Sequence, residues 1–312
     1  MSVVRTTLIA SALSLTAVLP AQAVQYRQLP AEPLIGYLGL GGGVDIVSPK
    51  DKGSAPYSQS SSTLNGNLSV VAMGDLLLPA LLGFTGSIEI GGMNLAKYDE
   101  TMTTGPKPTR HIKLEGGGVF FLYDDESATT TDIVLDSSTF GNTTTTTYLP
   151  GIPAVQRSLF GVRGGVYIAQ DDYQQRVDDF TYAMPGGTLL QYANANLKFN
   201  GVYAGITYIS SLASAIEVTD SSYGGTYEKR ELSQFYVDLI MGSVTRDMAP
   251  VSSLSSAQQA ALENGMKTEK TGWRVGFRQE GGVMAQDLQF GKRPGYPNNW
   301  YLAYNLALGV GF

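Results

Sequence analysis

The last thirteen residues constrain the fold more than any other stretch. From Trp300 to Phe312 one face reads Trp300, Leu302, Tyr304, Leu306, Leu308, Val310 and Phe312, and the other Tyr301, Ala303, Asn305, Ala307, Gly309 and Gly311. An unbroken period of two makes a strand, because successive side chains of a strand point to opposite faces. In a water-soluble sandwich the face away from the core would be decidedly polar, and here it is mostly small. A membrane barrel accounts for both faces: large apolar groups meet lipid and small residues line a crowded interior. The twelve steps span roughly 40 Å at about 3.3 Å each. A tilt near 40° leaves about 30 Å of height, enough for an apolar band of about 25 Å with aromatic rims.

The remaining composition narrows the class. The chain has 312 residues, no cysteine, one histidine, 37 glycines and a formal charge of −6. No cysteine excludes a disulfide framework, a thiolate metal site and a lipid-bearing N-terminal Cys. The acidic balance argues against nucleic acid, which selects a basic surface. No internal apolar run reaches the roughly 18 residues of a transmembrane helix. Residues 1–23 read as a cleaved secretory signal: Arg5 in the n-region, an apolar Leu8 to Leu19, and Ala21-Gln22-Ala23 as an A-x-A cleavage site. Residues 24–34 then form a short periplasmic segment, and residues 35–312 the barrel domain.

A chain that ends in an aromatic after alternating apolar residues resembles a Gram-negative outer-membrane β-barrel protein. In that class the last strand carries an assembly signal of the form polar-x-Gly-x-x-apolar-x-aromatic. It falls here on Asn305, Ala307, Val310 and Phe312, with Ala307 in place of the usual glycine. The resemblance implies the outer membrane as location. It implies outer-membrane lipid and lipopolysaccharide as surroundings, and the barrel-assembly machinery and periplasmic chaperones as partners during biogenesis.

Other segments alternate in the same way, around Leu38 to Ile46, Phe84 to Ile90, Ile112 to Leu122, Phe160 to Ile168, Phe235 to Met241 and Trp273 to Phe277. A single-chain bacterial barrel has an even strand number. Counting back from Phe312 gives strands at 299–312, 271–287, 232–245, 202–211, 188–199, 157–170, 111–123, 81–92, 62–75 and 35–47. Asn200-Gly201, the strongest short hairpin signal, separates 188–199 from 202–211. The Thr-rich residues 124–156 could add a hairpin turning at Gly141-Asn142. The expected fold is therefore an all-β, closed antiparallel transmembrane barrel, with twelve strands preferred and ten the alternative. Twelve strands and this mature length resemble an autotransporter translocator barrel, here solitary and without a passenger. The connections 48–61, 93–110, 171–187, 212–231 and 288–298 are then extracellular. Residues 246–270 are periplasmic, with a short helix candidate between Ser255 and Gly265.

Enzymatic chemistry finds little support. His111 has neither Ser two residues after it nor Asp two before it, so it lacks the arrangements of known barrel hydrolases and reads as a rim or lumen residue. Asp124-Asp125-Glu126, Asp171-Asp172 and Asp178-Asp179 match no calcium loop and read as solvated loop charge. Gly41-Gly42-Gly43 and Gly116-Gly117-Gly118 sit within strands, where glycine marks a bend or a close interior approach. No catalytic, cofactor or metal residue is assigned.

The strand phases turn Lys113, Glu115, Arg163, Asp238, Arg274, Arg278 and Glu280 toward the lumen, together with Glu89. Opposite charges side by side either seal a narrow lumen as ion pairs or line a narrow channel. The preferred function is a narrow channel for small solutes or ions. The alternative is a non-conducting barrel that acts through its extracellular loops, and an outer-membrane hydrolase ranks last.

Overall fold

The computed structural model describes residues 24–49, 65–78, 81–94, 103–104, 110–140, 143–176, 192–219, 222–248, 256, 268–296 and 298–312. The strands are β1 (Tyr26–Leu29), β2 (Gly36–Pro49), β3 (Asn65–Leu77), β4 (Leu82–Asn94), β5 (Thr103–Thr104), β6 (His111–Phe140), β7 (Thr143–Arg176), β8 (Tyr192–Val218), β9 (Gly225–Met248), β10 (Thr271–Gly281), β11 (Met284–Lys292) and β12 (Asn299–Gly311).

Pairing runs β8-β7-β6-β4-β3-β2-β12-β11-β10-β9, and a further β8–β9 pairing closes the ring. The fold is thus an all-β, closed antiparallel barrel of ten strands, with β1 and β5 attached to β8 outside the ring. β12 closes onto β2 along its whole length, from Asn299 opposite Pro49 to Gly311 opposite Tyr37.

Ten strands, not twelve, form the wall. Residues 124–156 do not insert two strands; they prolong β6 and β7. A wall strand needs one apolar face, and 122–128 are exposed at every position. Asn200-Gly201 is not a turn either, because β8 runs through it without a break. Gly201 serves a close approach: a Cβ there would collide with the Met241 carbonyl and meet the Phe199 ring at 2.6 Å. The missing reversal lies at Gly281-Gly282, where Gly282 adopts φ 51 and Gly281 pairs with Met284. Residues 271–287 therefore belong to two strands. The two differences offset each other in the strand count, but they reverse the direction of the strands between them. The β8–β9 connection leaves the barrel at the end where Phe312 lies, and the β9–β10 connection at the other end. This exchanges the sides expected for 212–231 and 246–270. The signal segment lies outside the described residues, as does the helix candidate apart from Ser256.

The described chain divides into two compact units. The barrel unit holds the described parts of 33–127, 156–212 and 230–312. The smaller unit holds the described parts of 1–32, 128–155 and 213–229. Its own apolar cluster joins Ile133, Leu135, Ile152, Ile216 and Val218, and Arg27 pairs with Glu217 at 2.6 Å across β1 and β8.

In the barrel unit the alternation separates outside from inside. Along β12 Leu302, Tyr304, Leu306, Leu308 and Val310 are exposed, while Tyr301, Ala303, Asn305 and Ala307 are buried. Inside, one apolar cluster of Leu34, Leu77, Val119, Phe121, Leu159, Ile209 and Leu232 lies at the Phe312 end. A second, with Val47, Ala195, Leu197, Tyr296, Tyr301 and Ala303, lies toward the opposite end. The charged side chains lie between them.

Candidate functional site: the charged lumen

All seven inward charges read from the strand phases are buried in the barrel: Lys113, Glu115, Arg163, Asp238, Arg274, Arg278 and Glu280. They get there because each falls on the same alternate positions as the small and aromatic inward residues of its strand. Lys113, Glu115, Arg163, Asp238 and Arg274 form one connected network, and Arg278 and Glu280 form a second group with Asp75. Arg274 donates from Nε to Asp238 Oδ2 at 2.7 Å, and its other arm meets Glu115 Oε2 at 2.6 Å. Lys113 bridges Glu115 at 3.0 Å and Glu89 at 3.3 Å, the latter being its direct cross-strand neighbour. Arg163 lies 3.3 Å from Asp238 Oδ1 and stacks over Tyr236 at 4.2 Å from the ring centre. Arg278 joins Asp75 at 2.7 Å and Glu280 at 2.8 Å.

Tyr203 and Tyr236 stand within cation–π reach of both Arg163 and Arg274. These aromatic faces lower the cost of holding guanidinium groups away from bulk water. The Tyr236 hydroxyl donates to Asp287 at 3.0 Å, and Gln289 donates to Asp287 at 2.5 Å.

Several members escape a reading of the sequence. Asp287 lies on β11, which alternation alone does not separate from β10. Arg293 follows β11 in a stretch that reads as loop, yet its guanidinium pairs with Asp45 and reaches Asp171 at 3.5 Å. Asp171 reads as a solvated loop acid, although it continues the inward phase of Arg163 and Tyr167 along β7. That phase is the signal that could have found it. His111 is buried, with Nδ1 on Asp171 and Nε2 3.3 Å from Glu89.

The assembly-signal residues divide by face. Asn305 and Ala307 point inward, Asn305 donating to Glu89 at 2.5 Å, whereas Val310 and Phe312 are exposed. The Asp124-Asp125-Glu126 run contributes a bidentate pair, in which Arg157 donates to Asp124 at 2.8 and 2.7 Å.

A cavity lined by Ser87, Glu115, Arg163, Tyr203, Arg278 and Gln289, among others, has a volume of about 20 Å³, the room of a single water. The inward side chains around it are buried and cross-linked by ion pairs.

No family model matches the chain, and no curated protein does. Among solved structures, a Pseudomonas aeruginosa FadL homologue is 9% identical, with 89% of this chain and 90% of that one covered and a TM-score of 0.26. A deltaS2S3 mutant of the TodX monoaromatic hydrocarbon channel is 10% identical, with 90% and 91% covered and a TM-score of 0.27. A mutant of the Rh. blastica porin is 8% identical, with 88% and 100% covered and a TM-score of 0.16. At these scores the likeness carries no functional argument, and the fold rests on the strand pairing described above.

Proposed function

We propose that this chain is an integral barrel of the Gram-negative outer membrane, closed by its own ion-pair network, that acts through envelope contacts rather than by bulk conduction. The membrane reading is supported by the outward belt. Leu40, Val70, Leu122, Leu239 and Leu308 lie on different strands and are each 61–68% exposed. Soluble monomers rarely expose so continuous an apolar surface. Lipid and lipopolysaccharide would cover it, and the assembly machinery and periplasmic chaperones would handle it during biogenesis. Export by residues 1–23 belongs to the same reading.

The observation that carries the closed reading is the layering of the lumen: paired charges between two apolar clusters, around a cavity with room for about one water. Ten strands leave a narrow interior that side chains can fill, whereas water-filled channels use about 16–18. The likeness to a translocator barrel rests on twelve strands and the mature length, and the ten-strand ring does not supply the first of these.

Single-channel recording of the refolded chain in a planar bilayer tests the proposal. A folded but silent barrel is expected. Stable, salt-dependent steps would overturn it in favour of a narrow channel. In that case neutralising Arg274 or Arg278 should change ion selectivity.

A further inference from the structure

One layer of the lumen brings an imidazole and two carboxylates together. At the first residue of β6, His111 Nε2 faces Glu89 Oε2 at 3.3 Å and Asp45 Oδ2 at 3.9 Å, and all three residues are buried. One ligand atom from each lies within 4.8 Å of the others. The remaining polar atoms of these residues are largely committed elsewhere. His111 Nδ1 is held by Asp171. Glu89 Oε1 accepts from Asn305 at 2.5 Å and from Lys113 at 3.3 Å. Asp45 Oδ2, the oxygen that faces Nε2, is also paired with Arg293. Asp45 Oδ1 is buried and has no hydrogen-bond partner among the described residues.

An imidazole that donates its Nδ1–H to Asp171 and leaves Nε2 unprotonated turns that lone pair toward carboxylate oxygens. Three lone-pair donors then converge, and a positive centre between them stabilises the arrangement. Asp45, Glu89 and Asp171 meet two permanent cations, Arg293 and Lys113, and Lys113 is shared with Glu115, so with a neutral imidazole the layer carries net negative charge. A cation bound tetrahedrally at about 2.0–2.1 Å needs donor atoms about 3.4 Å apart. The observed 3.3 and 3.9 Å are close to that. The outer contacts have the form that fixes metal ligands, with a carboxylate on the far ring nitrogen and amide and ammonium donors on the far carboxylate oxygen. One imidazole with two carboxylates suits a first-row divalent ion. Calcium would require six to eight oxygens.

We infer that His111, Glu89 and Asp45 form a binding site for one divalent first-row cation, with Asp171 positioning the imidazole. The site stands whether or not the barrel conducts.

Calorimetric titration of the refolded full chain with Zn²⁺, and separately with Mn²⁺, tests the inference. One saturating equivalent is expected. His111→Gln and Glu89→Gln should each weaken binding at least about tenfold. Asp171→Asn keeps all three ligands and should weaken it about 10–100-fold, as loss of an outer contact does. Glu280→Gln, a lumen carboxylate outside the layer, should leave binding unchanged. Gel mobility before and after heating establishes that each variant is folded. Nitrogen coupling in the spin-echo spectrum of Mn²⁺ bound to the unmutated chain reads imidazole ligation without any variant. No saturable uptake at millimolar metal, no nitrogen coupling, or full affinity in folded His111→Gln would each overturn the site.

Discussion

Arg274 and Asp238 sit directly opposite each other on β10 and β9, and the guanidinium Nε donates to the carboxylate at 2.7 Å with both side chains fully buried. A backbone register and a side-chain ion pair coincide, so the pair ties the sheet pairing to the lumen network. Arg274→Ala leaves Asp238 and Glu115 short of a cation in a dry interior and should cost about 3–5 kcal/mol. The Arg157–Asp124 pair has equally good hydrogen-bond geometry but is far more exposed. Arg157→Ala should cost under about 1 kcal/mol. Urea unfolding of the two variants in lipid vesicles makes the comparison. Equal losses would mean that burial does not govern these pairs.

Neighbouring glycines on β6 should respond differently to the same change. A Cβ on Gly117 would collide with the Gly164 carbonyl and the Tyr203 hydroxyl, whereas nothing lies within 4 Å of one on Gly116. Gly117→Val should therefore reach or exceed the upper end of the roughly 1–3 kcal/mol typical of overpacking. Gly116→Val should be nearly neutral. Refolding yield and thermal stability of the two variants provide the check.

Phe312 closes the seam between the chain ends. Its carbonyl accepts from Ile35 and Gly36 at 2.9 and 3.0 Å, and its amide donates to the Gly36 carbonyl at 3.0 Å. Deleting Phe312 removes these bonds together with the ring and should impair assembly strongly. Phe312→Ala keeps the backbone bonds and isolates the contribution of the ring. The amount of heat-modifiable barrel in outer-membrane fractions measures both. Normal assembly of the truncated chain would refute the role assigned to the last strand.

How much of the lumen was legible in the sequence depended on strand phase. Lys113, Glu115, Arg163, Asp238, Arg274, Arg278 and Glu280 were legible because each lies within an alternating run whose apolar face is unmistakable. Asp171 and Arg293 were not. They fall where the alternation ends, among Asp, Gly and Pro residues that read equally well as loop. Asp287 was lost because the reversal at Gly281-Gly282 looked like two glycines within a strand, while Asn200-Gly201 looked like a reversal and is not one.

What the sequence determined by itself is local in origin. Period-two alternation places strands and their two faces, because it follows from the pleat of a single chain. Charges on the inward positions follow from the same rule. Only the tertiary structure decided which strands are neighbours, that ten close the ring, and which charges meet. Asp45 and Arg293 pair across 248 positions of sequence, and Asn305 reaches Glu89 across 216. No local pattern encodes such meetings. They arise because ring closure brings β12 against β2 and leaves a shared interior too narrow for any of these charges to remain alone.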